Sequence, residues 1–261
     1  MSLESKYVLI TGASSGIGLA LARVFAKEKY NLILVGRNEN KLKELEIEFK
    51  EIYKVEAKAF AVDISKIELL EKLWITIKES YPQIDIVVNN AGIGFNGEFT
   101  NIDWEKHEEV IDLNIKSLTR LNYLAASYMK EKKQGKILNV ASTGSYQAGP
   151  LISVYYASKA YVLSLSEAMR EELKDYGDIT VSTLCPGATK TEFSKRAGKG
   201  DLDVAMSPEL VAKIAYNGLM NGKAIIIPGL MNKFAVAFSR FLPYTFTSKM
   251  VKKIQSKAMK K

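Results

Sequence analysis

Acidic residues stop at Glu209: the 52 residues that follow, 210–261, hold ten Lys/Arg and no Asp or Glu. The formal net charge is +8, yet residues 1–209 carry 27 bases against 29 acids, so the whole basic excess lies in the tail. Cysteine is nearly absent. Cys185 alone cannot form an intramolecular disulfide, and no Cys/His spacing suits a metal, so none is expected. It ends an apolar run before Pro186 and reads as a core thiol. Histidine is as scarce, and His107, within the charged run Glu105–Glu109, is expected in solvent. No uncharged apolar run approaches the roughly 20 residues of a spanning helix, and no charged-then-apolar leader is present. A soluble cytoplasmic protein is expected. Repeats and low-complexity linkers are also missing. With 261 residues and 47% hydrophobic content, the chain can bury one large core.

What is present alternates. Strand-like runs fall near 6–10, 31–35, 57–62, 84–88, 136–140, 179–184 and 224–227. Helical patterns lie between them, near 16–29, 39–53, 66–80, 103–131, 153–175 and 208–221. This alternation predicts an α/β fold, a doubly wound parallel sheet of about seven strands with helices on both faces. Ligands of such sheets sit at the carboxyl ends of the strands. The division expected is a catalytic domain over 1–230, with cofactor and substrate sites together, and a basic, aromatic helical extension over 231–261.

The turn Thr11-Gly12-Ala13-Ser14-Ser15-Gly16-Ile17-Gly18 follows the apolar run Tyr7–Ile10 and opens a segment with Leu19, Leu21, Val24 and Phe25 at helical spacing. That context suits a dinucleotide pyrophosphate. Glycines permit the tight turn and close approach, and the helix N-terminus offers N–H groups to an anion. Further on, Tyr155 and Lys159 stand four apart, on one face of a helix. A phenol near a fixed positive charge loses its proton more easily, which predicts a general acid or base.

Taken with the turn and this pair, Asn89-Asn90-Ala91-Gly92, Asn114, Ser142 (thirteen before Tyr155) and Pro186-Gly187 occur in an order that resembles the short-chain dehydrogenase/reductase family over residues 5–230. The resemblance implies a Rossmann-like oxidoreductase. In it, Tyr155 carries the proton, and Lys159 lowers the tyrosine pKa and holds the nicotinamide ribose. Ser142 donates to the substrate oxygen, and Asn114 holds a water that links Lys159 to solvent. It further implies cofactor contacts from Gly12, Ser14, Ser15, Gly16, Ile17, Gly18, Asp63, Ile64, Asn90, Ala91 and Gly92. Tyr155, Lys159, Pro186, Gly187, Thr189 and Thr191 complete that set. Asp63 is expected at adenine, with Ser65 capping the next helix. Substrate contacts fall to Ser142, Tyr146 and Tyr155, with Ile93, Gly94, Phe95, Ser145 and Gln147 as further walls and 192–206 as a lid. Tyr156 does not match the family's offset and is set aside.

At the end of the second strand, Gly36 occupies the place where NAD-preferring relatives carry an acid, and Arg37 follows it. An acid binds the ribose 2′-hydroxyl, whereas an arginine binds a 2′-phosphate. NADP(H) is therefore expected in preference to NAD(H). The substrate expected is a hydrophobic ketone or aldehyde. A 3-oxoacyl thioester reductase is the alternative enzyme, and a nucleotide-binding regulator or membrane-associated scaffold of the same fold is the alternative of another class. A homo-oligomer, dimer or tetramer, is implied by the resemblance. In the tail, Phe234, Val236, Phe238, Phe241, Leu242, Tyr244 and Phe246 interleave with Lys233, Arg240 and Lys249, and Pro243 divides two short helical segments. That composition suits either peripheral contact with anionic lipid or a subunit contact. No nucleic-acid motif is present.

Overall fold

The computed structural model describes residues 6–81, 83–193 and 205–259. Seven strands form one parallel sheet: β1 Tyr7–Thr11, β2 Asn31–Gly36, β3 Ala57–Ala61, β4 Ile86–Asn89, β5 Gln134–Val140, β6 Asp178–Leu184 and β7 Ile225–Ile226. Their order is β3-β2-β1-β4-β5-β6-β7. The helices between them are α1 Gly16–Lys27, α2 Glu39–Glu48, α3 Ile67–Ser80, α4 Trp104–Ile111, α5 Leu118–Lys132, α6 Ser153–Leu173 and α7 Pro208–Met220.

Both faces of the sheet are covered, so its central strands β1, β2 and β4 are largely apolar rather than alternating. In β1 every residue is buried. Val8 and Ile10 pack with Leu32, Leu34 and Phe25 of α1 on one face. Leu9 packs with Ile33, Val87, Trp74 of α3 and Leu121 of α5 on the other. The order reverses between β2-β1 and β4, which opens a crevice at the carboxyl ends of β1 and β4.

Three local expectations change. The pattern over 103–131 is not one helix: a π-helical segment, Asp112–Ser117, joins α4 to α5. There the Asn114 carboxamide turns inward to bond the Ile93 backbone, and such widened turns recur at functional sites. Ser65 does not cap α3. Its N–H and hydroxyl both donate to Asp63 Oδ1, at 3.1 and 2.8 Å, and the helix starts beyond it at Ile67. His107 is buried, not solvated. It shares the inner face of α4 with Val110, its Nε2 lies 3.0 Å from the Phe99 carbonyl, and its ring stacks on Phe99 with centroids 4.9 Å apart. Its charged neighbours point outward, because helical period rather than local charge decides which side chains are covered.

The tail forms two helices on either side of Pro243, α8 Leu230–Ser239 and α9 Tyr244–Ala258. Cys185 is a buried free thiol, as expected. Among the described residues, no helix is long and apolar enough to cross a membrane and no cluster of His, Cys, Asp or Glu suits a metal.

Candidate active site

The glycine turn has the geometry its sequence requires. Gly12 and Gly16 adopt φ of +65° and +56°, which side chains rarely tolerate. Gly18 fits for another reason. A Cβ there would sit 2.3 Å from the Gly12 carbonyl oxygen and 2.5 Å from Asn90 Nδ2. Ser15 occupies the N-cap of α1 without a side-chain capping bond, so the first-turn N–H groups face the cavity without that cap.

Thr11, not singled out in the sequence, organises this end of the crevice. Its Oγ1 accepts from Asn90 N at 3.0 Å and Ala91 N at 3.1 Å, and donates to Val88 O at 3.3 Å. Asn90 Nδ2 donates to the Thr11 and Gly12 carbonyls at 3.0 and 3.3 Å. Asn90 lines the cavity, but its amide donor clamps the glycine turn to the β4 loop. A strand-end hydroxyl before a glycine was the available signal.

α6 brings Tyr155 and Lys159 to the same cavity. A buried polar chain fixes that helix to the sheet: Asn89 Nδ2 donates to Asn139 Oδ1 at 2.8 Å, Asn139 Nδ2 donates to Ser166 Oγ at 2.9 Å, and Ser166 Oγ donates to Val162 O at 2.6 Å. Lys159 is buried, and its Nζ donates to Val140 O at 2.8 Å. Burial pulls its pKa down from 10.5 to about 8. Burial also pushes the Tyr155 hydroxyl well above the ordinary phenol range, partly offset by its hydrogen bond with Ser142. Burial thus sets the direction of the tyrosine's shift. Nζ lies 5.7 Å from the ring centroid, and the lowering influence is Ser142. Tyr155 is a proton holder at neutral pH.

The Asn114 side chain is tied to protein groups. Its Oδ1 accepts from Ile93 N at 3.0 Å, while Nδ2 donates to Ile93 O at 2.8 Å and Ser158 Oγ at 3.0 Å. Both amide protons are committed to protein groups, so it pins the Gly92–Ile93 loop beside α6. A Cβ on Gly92 would stand 3.2 Å from both Asn114 Oδ1 and Lys159 Nζ.

One cavity of about 960 Å³ joins these parts. Gly12, Ser14, Ser15, Gly16, Ile17, Arg37, Asp63, Ile64, Asn90, Ala91 and Gly92 line one end. Ser142, Tyr155, Lys159, Pro186, Gly187, Thr189 and Thr191 line the rest. Gly18 and Asn114 act from behind the wall. Thr191 reaches over the glycine turn, its Cγ2 3.1 Å from where a Gly16 Cβ would stand. Ile93, Gly94 and Phe95 line the cavity as expected. Tyr146 does not. Its hydroxyl lies 3.8 Å from Cys185 Sγ, and Arg240 of the tail sits 5.1 Å above its ring. Ser145 and Gln147 are also absent from the lining. Of the lid expected over 192–206, positions 194–204 lie outside the described residues.

Residues passed over in the sequence take the substrate end. Phe193 packs on Tyr155 with centroids 5.2 Å apart. Tyr156, Ile254 and Gln255 line the cavity, and Gln255 Nε2 donates to Tyr156 Oη at 3.3 Å. The tail thus closes the site across α6, a contact 99 residues apart in sequence that no local pattern announces.

Comparison with known proteins shows the family. The sequence profile described as short chain dehydrogenase matches residues 6–201. The chain belongs to the short-chain dehydrogenase family. A diacetyl reductase [(S)-acetoin forming] of Staphylococcus epidermidis is 34% identical over 193 residues, 74% of each chain. A 7beta-hydroxysteroid dehydrogenase of Mediterraneibacter gnavus is 31% identical over 245 residues, 90% of this chain and 92% of the other. A solved short-chain dehydrogenase from Sphingobium yanoikuyae in complex with NADPH superposes with a TM-score of 0.82. It is 33% identical, with 90% of this chain and 93% of that one covered. As a short-chain dehydrogenase, the protein is an oxidoreductase of alcohol and carbonyl groups built on a nucleotide-binding Rossmann-like fold.

Proposed function

We propose that the protein transfers a hydride between NADP(H) and a hydrophobic ketone or aldehyde, with Tyr155 as general acid/base. The observation that carries this reading is the convergence of Tyr155, its hydrogen-bond partner Ser142 and the buried Lys159 on the cavity that holds the glycine turn. The turn fits a dinucleotide: glycine at 18 lets the turn close against Gly12 and Asn90, and the α1 N–H groups suit a pyrophosphate. When bound, the nicotinamide supplies or accepts the hydride. Tyr155 holds the proton that the developing alkoxide takes, and Ser142 supports that oxygen as a second hydrogen-bond donor. Lys159 supplies positive charge beside them. Asn114 positions the Gly92–Ile93 backbone.

The NADP(H) preference rests on the end of β2. Gly36 carries no acid, and the exposed Arg37 lines the cavity. Arg37→Ala is expected to weaken NADPH by about 1.5–3 kcal/mol, the scale of a hydrogen bond to a charged group, and to leave NADH nearly unchanged. Calorimetric titration of both cofactors decides it; tighter NADH binding by the unmutated protein contradicts the preference. Gly36→Asp is the converse variant. Its Cβ meets Ser14 Oγ at an ordinary 3.5 Å, so the fold is retained while NADPH weakens and NADH gains.

The cavity's apolar substrate end, with Phe95, Phe193 and Ile254, favours a hydrophobic carbonyl compound over a small polar one. Peripheral contact with anionic lipid through the tail belongs to the same proposal. A pH prediction follows from Lys159. It is protonated below about 8 and neutral above, while Tyr155 keeps its proton across this range. Reductive kcat/KM for NADPH is therefore expected to hold below pH 8 and fall as the pH rises through it, because this ratio reports groups of the free enzyme. A profile that instead rises through pH 8 assigns no role to the ammonium.

A further inference from the structure

We infer that α8 and α9 form a docking surface for anionic lipid, and that this surface presents the substrate end of the cavity to the bilayer. The second clause rests on the carbonyl-reduction reading above. Met231, Phe234, Phe238 and Phe241 follow one another at three- and four-residue steps, the spacing of one helix face. They are 82%, 71%, 64% and 87% exposed, and Tyr244, at 76%, continues the strip past Pro243. Scattered apolar residues on a surface need no explanation, but a contiguous row of this size marks an interaction site.

Charge selects the partner. Lys233, Lys249, Lys252, Lys253 and Lys257 are exposed on the same two helices and Arg240 just past the first, and no acid occurs after Glu209. A second copy docked through this face would place the same patch against itself, as a two-fold interface requires, and so bring bases to bases. An anionic lipid surface meets both features at once, with apolar side chains among the acyl chains and lysines at the headgroups. Among the described residues no helix can cross the bilayer, so the pair lies on it.

The inner side of the same helices is fastened to the active site. Asn232 of α8 packs against Gly187, leaving no room for a Cβ there: its Oδ1 would be 2.5 Å away. Val236 and Val251 are buried. Gln255 of α9 bonds Tyr156, and Ile254, itself 58% exposed, lines the cavity. Lipid contact and cavity wall are thus two sides of one helix pair. A carbonyl compound dissolved in the bilayer reaches the cavity past α9 without crossing water.

The experiment uses the full chain with vesicles of phosphatidylcholine alone and of phosphatidylcholine with phosphatidylglycerol, sedimented across a salt series. Binding to the mixed vesicles at low salt, weakening as salt screens the charges, is expected, with little binding to the neutral ones. Lys252→Ala with Lys253→Ala is expected to lower affinity by roughly thirtyfold, each basic residue near the surface contributing about fivefold. Phe234→Ser, Phe238→Ser and Phe241→Ser together should abolish it. All five positions are exposed and outside the cavity, so turnover of a water-soluble ketone by these variants should match the unmutated protein. With a long-chain ketone, mixed vesicles should raise the rate for the unmutated protein and not for the triple variant. Absence of sedimentation at low salt overturns the docking surface. A dimer that the triple serine variant dissociates, with vesicle binding unchanged, gives the face to a second copy. Vesicle binding without any rate gain for the long-chain ketone overturns the delivery clause alone. Because sedimentation needs no substrate, failure of the reductase reading leaves the docking result standing.

Discussion

Tyr155→Phe is expected to lower reductive turnover by about 10²–10⁴-fold, the contribution typical of a positioned general acid. The change removes one oxygen. The ring keeps its contacts with Phe193 and Tyr156, with centroids at 5.2 and 6.1 Å, so the cavity wall is preserved. Cofactor affinity should change little, because the glycine turn and Arg37 are untouched. The comparison variant is Tyr156→Phe. It loses the acceptor of the Gln255 bond and should raise KM more than it lowers kcat, since that hydroxyl tethers the tail over the substrate end. Steady-state kinetics with one confirmed ketone separates the two. Near-wild-type turnover by Tyr155→Phe contradicts the assignment.

Gly18→Ala is expected to be the most damaging methyl group that can be added to the glycine turn. Its Cβ meets the Gly12 carbonyl oxygen at 2.3 Å and Asn90 Nδ2 at 2.5 Å, so either the turn or the Asn90 clamp must shift. Overpacking of this kind costs about 1–3 kcal/mol. Here the displaced atoms are also those that shape the dinucleotide cradle, so NADPH affinity should fall by more than tenfold. Gly36→Ala is the control, since its Cβ finds only ordinary contacts with Ser14 and Leu42. Thermal unfolding and cofactor titration on both variants check the contrast. Equal behaviour of the two would show that the turn tolerates a side chain at Gly18.

The sheet was legible because both of its faces are buried. Apolar runs such as Tyr7–Ile10 and Leu32–Val35 have no other stable placement, and the seven runs became seven strands in the expected manner. The glycine turn was legible for a similar reason: glycine takes the positive φ at Gly12 and Gly16 without the strain a side chain adds. Less was legible where a side chain's partner is distant in sequence. Tyr146 and Tyr156 are both aromatic residues near Ser142, and composition cannot say which faces the cavity. That is decided by Cys185 and Arg240 drawing in Tyr146 and by Gln255 meeting Tyr156. His107 misled because charged neighbours dominate a short window while burial follows helical period. The balance of influences on Tyr155 and Lys159 was less legible. The i, i+4 spacing fixes that the two groups share a face, but not that each is desolvated enough for burial to set its shift. The tail's composition announced an amphipathic segment, yet not that its inner side walls the active site.

On the proposed reading, this cavity reduces carbonyl compounds with NADPH. The most direct test follows absorbance of NADPH and NADH with a panel of hydrophobic ketones and aldehydes, using the unmutated protein and Tyr155→Phe. NADPH consumption matched by alcohol formed, faster than with NADH and lost in Tyr155→Phe, is the predicted result. Tight NADPH binding with no turnover of any carbonyl or alcohol would contradict it and leave a nucleotide-binding protein of this fold.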